Sequence, residues 1–334
     1  MSVFKESTSY RPFTYPQLME AAKKHSIDMY WDVHSVELQD DIRQYKNLAS
    51  KTNSHEVNLY ILDTLICLFT ELDKTVAEGY ITLLPYIKNN EARCWLLTAA
   101  QREVVHQRGY AMLAEALSFS SAQWANFQNF KEMVSKLNVM TSHNAEEVLV
   151  VDSKPLQAAK ILTTILLGEG IGLFAAFTCL LNYKRQGHLM GFNDVNQWSL
   201  LDEQEHVDNN IKLLKAMLPD LQPNEETELV AFTFDKVEQY RVAEYDYIDL
   251  ITKNGDPEDL TKEQLYSYID FLCAYRLQQL GLLSEEDNPQ PTNPIPWMGW
   301  MLSGLKHDSF FEKKVTDYTH IKLPGSVDYS KYLK

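Results

Sequence analysis

Glycine and proline are scarce, 12 of each in 334 residues. That is little turn chemistry for a chain of this length, and long stretches such as Val57–Leu84 and Asn90–Leu117 run through several helical turns without a proline. Cysteine is scarcer still. Cys67, Cys94, Cys179 and Cys273 are widely spaced and form no C-x-x-C pair, which excludes a disulfide framework and argues against a thiol active site. They read as reduced thiols of a cytoplasmic protein. Basic residues are outnumbered, 31 Lys and Arg against 46 Asp and Glu. The resulting charge of −15 excludes general binding to nucleic acid or to an anionic membrane surface. The opening MSVFKESTSYRPF has no apolar signal core and reads as a mature amino terminus. No glycine-rich phosphate-binding loop is present.

What remains is apolar and helical. Hydrophobic residues make up 45% of the chain and charged residues 23%, as in an ordinary soluble globular protein. Apolar positions recur at spacings of three and four, and strict alternation is rare. One segment, Ile161–Tyr183 (ILTTILLGEGIGLFAAFTCLLNY), is long enough for a membrane span. Glu169 near its middle argues instead for a buried central helix, because a lone carboxylate in such surroundings must be neutralised or liganded. The glycines around it predict local helix distortion. Further on, Glu285–Trp297 carries four prolines and reads as a loop or boundary. Beyond Leu302 periodicity is lost, and Phe310, Phe311, Tyr318, Tyr329 and Tyr332 punctuate a tail suited to ordering on a partner. The expected division is a helical domain over 1–303 and a mobile tail over 304–334.

The chemistry lies in a repeated pattern, Glu103-x-x-His106 and Glu203-x-x-His206. On a helix this spacing puts carboxylate and imidazole about 60° apart on one face, within reach of one metal ion. With 25 Glu and 9 His, chance supplies about 0.7 such matches, so context must carry the reading. Both pairs lie in helical, apolar surroundings. Two divalent ions need roughly four carboxylates for neutrality, so two are still to be found. Glu169 is the first. The other belongs on the helix before Glu103, where spacing leaves Asp73 and Glu71 open and puts Glu78 nearer the helix end. Carboxylate and imidazole donors suit iron or manganese more than zinc. Tyr110, seven residues after Glu103, projects within about 20° of the same face. A buried phenol there is a natural one-electron donor, and Asn210 stands at the matching place after the second motif.

These residues resemble the small, radical-generating subunit of class I ribonucleotide reductase. The likeness is carried by EARCWLLTAAQREVVHQRGY (Glu91–Tyr110), LDEQEHVDNNIKLL (Leu201–Leu214), FFEKKVTDY (Phe310–Tyr318) and the pair Tyr30-Trp31, and runs from about Phe13 to Tyr318. It implies an all-α, ferritin-like helical bundle with a di-metal centre, of two iron ions or of manganese, held by Asp73, Glu103, His106, Glu169, Glu203 and His206. It selects Asp73 over Glu71. It implies that dioxygen activation generates a radical on Tyr110, that Trp31 relays it through hydrogen bonds with Asp202 and His106, and that Tyr318 passes it to the large subunit, where ribonucleotides are reduced. Phe177 would wall the radical pocket. A homodimer in the cytoplasm, docking on the large subunit through its tail, is also implied. Leu173, where many members carry Phe, and Ser199, where many carry Ile, depart from the pattern, as does the ending SVDYSKYLK. The competing readings keep the bundle but make it a ligand-binding oxidase or hydroxylase, or an iron store.

Overall fold

The computed structural model describes residues 2–49, 54–126, 129–145, 148, 153–284 and 292–302. Among these residues the chain is helical and has no strand. The main helices are α1 (Pro16–Lys23), α2 (Gln39–Ala49), α3 (Ser54–Leu83), α4 (Asn90–Ala116), α5 (Ser121–Asn126), α6 (Lys131–Met140), α7 (Lys154–Gly170), α8 (Phe174–Arg185), α9 (Met190–Met217), α10 (Pro223–Ile251) and α11 (Lys262–Gln279). They belong to a compact unit spanning Met1–Ile295. Residues 296–302 form one more short helix, in a separate unit. The expected boundary at 303/304, and every aromatic residue singled out in the tail, lie outside the described residues.

Four helices close a ring. α3 packs on α4, α4 on α9, α9 on α7, and α7 back on α3. Each carries acidic residues on a face otherwise made of Leu, Ile, Ala and Phe, so the ring has an apolar wall with a polar centre. Local chemistry sets the helix ends. Asn89 caps α4 by accepting from Ala92 N at 3.0 Å, and Ser153 caps α7 with Pro155 in its first turn. α9 has no cap of its own. Its start is set from α2, where Asp41 accepts from Phe192 N at 2.6 Å and Gln44 accepts from Leu189 N at 2.8 Å. Gly191 permits this approach, because a Cβ there would come within 2.4 Å of the Glu37 carbonyl oxygen.

The long apolar segment behaves as a core element. Its most apolar window passes a length and hydropathy test for a membrane span, yet it is entirely buried in the bundle. It is also broken, since α7 stops at Gly170 and α8 begins at Phe174. The break lets the Tyr240 ring lie against Gly172, where a Cβ would sit 3.1 Å from the ring. Three of the four cysteines are buried, Cys94 is half-buried, and all are unpaired.

A buried ion pair clamps the restart of this segment. Lys136 of α6 pairs with Glu244 of α10, and both are fully buried. Glu244 also accepts from Ala175 N at 3.3 Å, acting as a distant cap for α8, while the Lys136 ammonium lies 4.1 Å over the Tyr247 ring. Burial pushes the lysine down and the carboxylate up, so each charge depends on the other. Breaking such a pair costs more than replacing it. Lys136→Met should lower the unfolding free energy by about 3–5 kcal/mol in urea titrations, and adding Glu244→Gln, which keeps the cap acceptor, should recover most of the loss.

Candidate metal centre

The ring brings six side chains together at its centre. Asp73 comes from α3, Glu103 and His106 from α4, Glu169 from α7, and Glu203 and His206 from α9. They form two groups whose donor atoms lie within 4.8 Å of one another: Asp73, Glu103, His106 and Glu203, and then Glu103, Glu169, Glu203 and His206. Glu103 and Glu203 belong to both. Glu103 puts Oε2 3.4 Å from His106 Nδ1 and Oε1 3.0 Å from His206 Nδ1. Glu203 does the same with Oε1 at 3.1 Å and Oε2 at 3.4 Å. Two carboxylates therefore span both imidazoles, with Asp73 at one end and Glu169 at the other. Glu71 is only half-buried and Glu78 exposed, so of the three acids on α3 the one brought inside is Asp73.

All six are buried, and their polar atoms are poorly served. Both oxygens of Glu103 and of Glu203, Asp73 Oδ2 and His106 Nδ1 lack a properly directed hydrogen bond. Burial, opposed by the nearest imidazole and helped by the carboxylates of Glu103 and Glu203, pushes Asp73 well up and Glu169 up to about 8. Burial would raise Glu103 too, but the imidazoles of His106 and His206 bring it down to about 2. Burial opposes charge on the imidazoles, and Glu103 beside His106 and Glu169 beside His206 outweigh it, raising both well above the ordinary range. Without cations, protons do the neutralising. Four carboxylates and two imidazole nitrogens that converge, most of their facing atoms without a hydrogen bond, fit two divalent cations.

Comparison with known proteins now bears on this geometry. The family model described as "Ribonucleotide reductase, small chain" matches residues 7–285. The chain belongs to the ribonucleotide reductase small-chain family. It is 29% identical to a probable ribonucleoside-diphosphate reductase small subunit of Invertebrate iridescent virus 6, over 98% of each chain. It is 23% identical to a ribonucleoside-diphosphate reductase beta subunit of Chlamydia pneumoniae, covering 86% of this chain and 83% of that one. The fold matches the ribonucleotide reductase R2 subunit from Clostridium botulinum with a TM-score of 0.76 at 16% identity, over 90% of this chain and 94% of that one.

In this small chain a single carboxylate organises the surroundings of the centre. Asp202 Oδ2 accepts from Trp31 Nε1 at 2.8 Å and Arg102 Nη2 at 2.6 Å, and lies 3.1 Å from His106 Nε2. These partners hold it ionised, well below the usual carboxylate range, against its burial. His106 is thereby set to donate through Nε2, leaving Nδ1 facing the carboxylates. His206 is oriented differently. Its Nε2 meets Nε2 of His25 at 2.8 Å, and His25 Nδ1 lies 3.7 Å from Asp202 Oδ1. Burial, then His206, pushes His25 down to about 3, so it is a neutral acceptor. His25, Arg102, Tyr80, Asn210 and Trp95 all surround the centre without having been singled out as ligand partners. His25 sits in a wide helical turn after α1, 181 residues from His206, where no spacing rule reaches.

Tyr110 is fully buried one turn beyond His106. Its hydroxyl donates to Asn196 Oδ1 at 3.2 Å, Phe69 stacks on its ring at 4.3 Å, and Phe192 meets it edge-on at 5.9 Å. Phe177 packs on Phe69 at 4.9 Å, so the ring lying directly on the phenol is Phe69. Burial, then Asp73, pushes the phenol well above its ordinary range, while the adjacent Ser199 hydroxyl opposes the rise. Leu173 is also buried. Trp31 stacks on His106 at 5.8 Å and lies 4.9 Å under the Arg102 guanidinium. Tyr318 lies outside the described residues.

The protons that replace cations predict a pH dependence. Between pH 6.5 and about 8, folded Glu169 holds a proton that the unfolded carboxyl has lost, and the raised His106, His206 and Asp73 act in the same direction. The folded chain binds more protons there, so chelator-treated protein should lose stability as pH rises through this window. Added Mn²⁺ should raise the melting temperature more at pH 8 than at pH 6.5, because fewer protons have to be displaced. Thermal unfolding with chelator and with Mn²⁺ measures both.

Proposed function

We propose that this small chain is a radical-generating subunit whose di-metal centre, of iron or alternatively manganese, is held by Asp73, Glu103, His106, Glu169, Glu203 and His206. The observation that carries the reading is the pair of overlapping donor groups sharing Glu103 and Glu203, with the buried Tyr110 one helical turn beyond His106. The bound ions would supply the oxidising power of dioxygen. The chain's own residues do the rest. Tyr110 gives up one electron and its phenolic proton, and the rings of Phe69 and Phe192 keep water and reductant from the radical. Asn196 orients the hydroxyl.

Export of the radical runs by way of Trp31. Its stacking on His106 and its hydrogen bond to Asp202 couple the indole to the centre, and Asp202 can accept the indole proton as the electron leaves. Tyr318 in the stretch FFEKKVTDY then hands the radical to a large subunit that reduces ribonucleotides. That step, and docking through the tail at 304–334, rest on the sequence resemblance. We also assign this chain a cytoplasmic location and a homodimeric state. The solvent-facing Leu97 and Val104, 52% and 59% exposed on α4, support a second copy.

Loading chelator-treated protein with ferrous iron, or with manganese, and admitting oxygen tests the reading. A tyrosyl signal in the electron paramagnetic resonance spectrum is expected, and Tyr110→Phe should abolish it. Trp31→Phe should keep the signal yet lower turnover with the large subunit by about 100-fold or more. Metal oxidation with no radical under either metal would favour the oxidase or storage readings.

A further inference from the structure

The two ends of the centre differ in a way the paired motifs do not announce. Asn210 stands four residues after His206, just as Tyr110 stands four after His106. The fold nevertheless supplies a phenol at the second end, from another helix. Tyr80 of α3 donates its hydroxyl to Glu169, at 2.8 Å from Oε1 and 3.0 Å from Oε2. Asn210 Nδ2 lies 2.7 Å from the Tyr80 oxygen and 3.1 Å from Glu169 Oε2. Trp95 Nε1 donates to Asn210 Oδ1 at 2.9 Å. All four side chains are buried.

These bonds have a fixed direction. An indole N–H can only donate, so Trp95 dictates which way the Asn210 amide faces. The amide nitrogen must then point at Tyr80 and Glu169. Having accepted from Asn210, the Tyr80 oxygen turns its own hydrogen to the carboxylate. Glu169 is left with Oε2 engaged by the amide and Oε1 facing His206 Nδ1 at 3.0 Å. The opposite end has no such clamp. Among the described residues Asp73 Oδ2 has no hydrogen-bond partner, and the phenol on that side donates to Asn196 instead.

We infer that Tyr80 and Asn210, oriented by Trp95, are positioning residues that hold Glu169 ready for a cation, so that the His206 side of the centre binds its ion more tightly than the Asp73 side. This rests on the di-metal reading proposed above. A preset carboxylate does not have to be ordered when the ion arrives, and removing groups that orient a ligand typically weakens metal binding about 10–100-fold.

Titration of chelator-treated protein with Mn²⁺ tests this, reading free ion by electron paramagnetic resonance and binding heat by calorimetry. The unsubstituted chain should take two ions in two resolved steps, and Asp73→Ala should remove the weaker one. Tyr80→Phe, which deletes a single oxygen, should weaken the tighter step about tenfold or more and leave the weaker step in place. Asn210→Leu should do the same, with thermal unfolding confirming that both variants fold. A tighter step unchanged in Tyr80→Phe, or two steps weakened in parallel, overturns the inference while leaving the di-metal reading intact. An unsubstituted chain that does not bind two ions overturns both.

Discussion

Four carboxylates share one buried site, and most of the architecture follows from that constraint. Removing a carboxylate from water without a partner costs several kcal/mol, and four facing one another add mutual repulsion. The chain meets this cost by closing the ring of α3, α4, α7 and α9 around two imidazoles that draw protons or cations to the site. Apolar packing all around supplies the stability to set against it: α7 is buried along nearly its whole length, and α8 through Tyr183. The break between those helices belongs to the same solution. It ends α7 directly after Glu169, and the Lys136–Glu244 pair then restarts the chain as α8.

Asp202 links the centre to its surroundings. It reaches His106 directly and faces His25, which in turn touches His206. One ionised group thus bears on both imidazoles. Its other partners, Arg102 and Trp31, keep it charged and fixed. Because a ligand's second ring nitrogen sets its tautomer, the orientation of His106 traces to this carboxylate and that of His206 to the neutral His25.

Much of this was legible in the sequence, and the illegible part has a common cause. Helix class, the two E-x-x-H pairs and the anomalous Glu169 follow from periodicity and the cost of burying charge, which are local properties. The choice between Asp73 and Glu71 was not, since it depends on which face of α3 turns inward, and only the resemblance selected Asp73. Contacts over long separations left no trace in spacing or periodicity, and the link from Trp31 to Asp202 across 171 residues was anticipated from the resemblance alone. His25 meets His206 across 181 residues, Asn210 meets Tyr80 across 130, and Asp41 starts α9 from 151 residues away. The resemblance put Phe177 on the wall of the radical pocket, but gave no sign of Phe69, the ring that packs against Phe177 and lies directly on the phenol. Tyr80 was passed over because a tyrosine in an apolar helix reads as packing until a carboxylate is found at its hydroxyl.

The surroundings of Trp31 constrain how the proposed relay can work. The Arg102 guanidinium 4.9 Å from the indole ring disfavours any positive charge on it. An indole that lost only an electron would face that cation with both groups buried. Asp202 removes the difficulty, because its Oδ2 already accepts the indole N–H at 2.8 Å. If the proton moves along this bond as the electron leaves, the ring stays neutral and is spared repulsion from the Arg102 guanidinium. The same arginine binds Asp202 through Nε and Nη2, which stabilises the ionised carboxylate before transfer and lowers its affinity for the proton. Arg102 therefore acts on both sides of the exchange, keeping the proton on the indole at rest and making transfer of electron and proton together the accessible route.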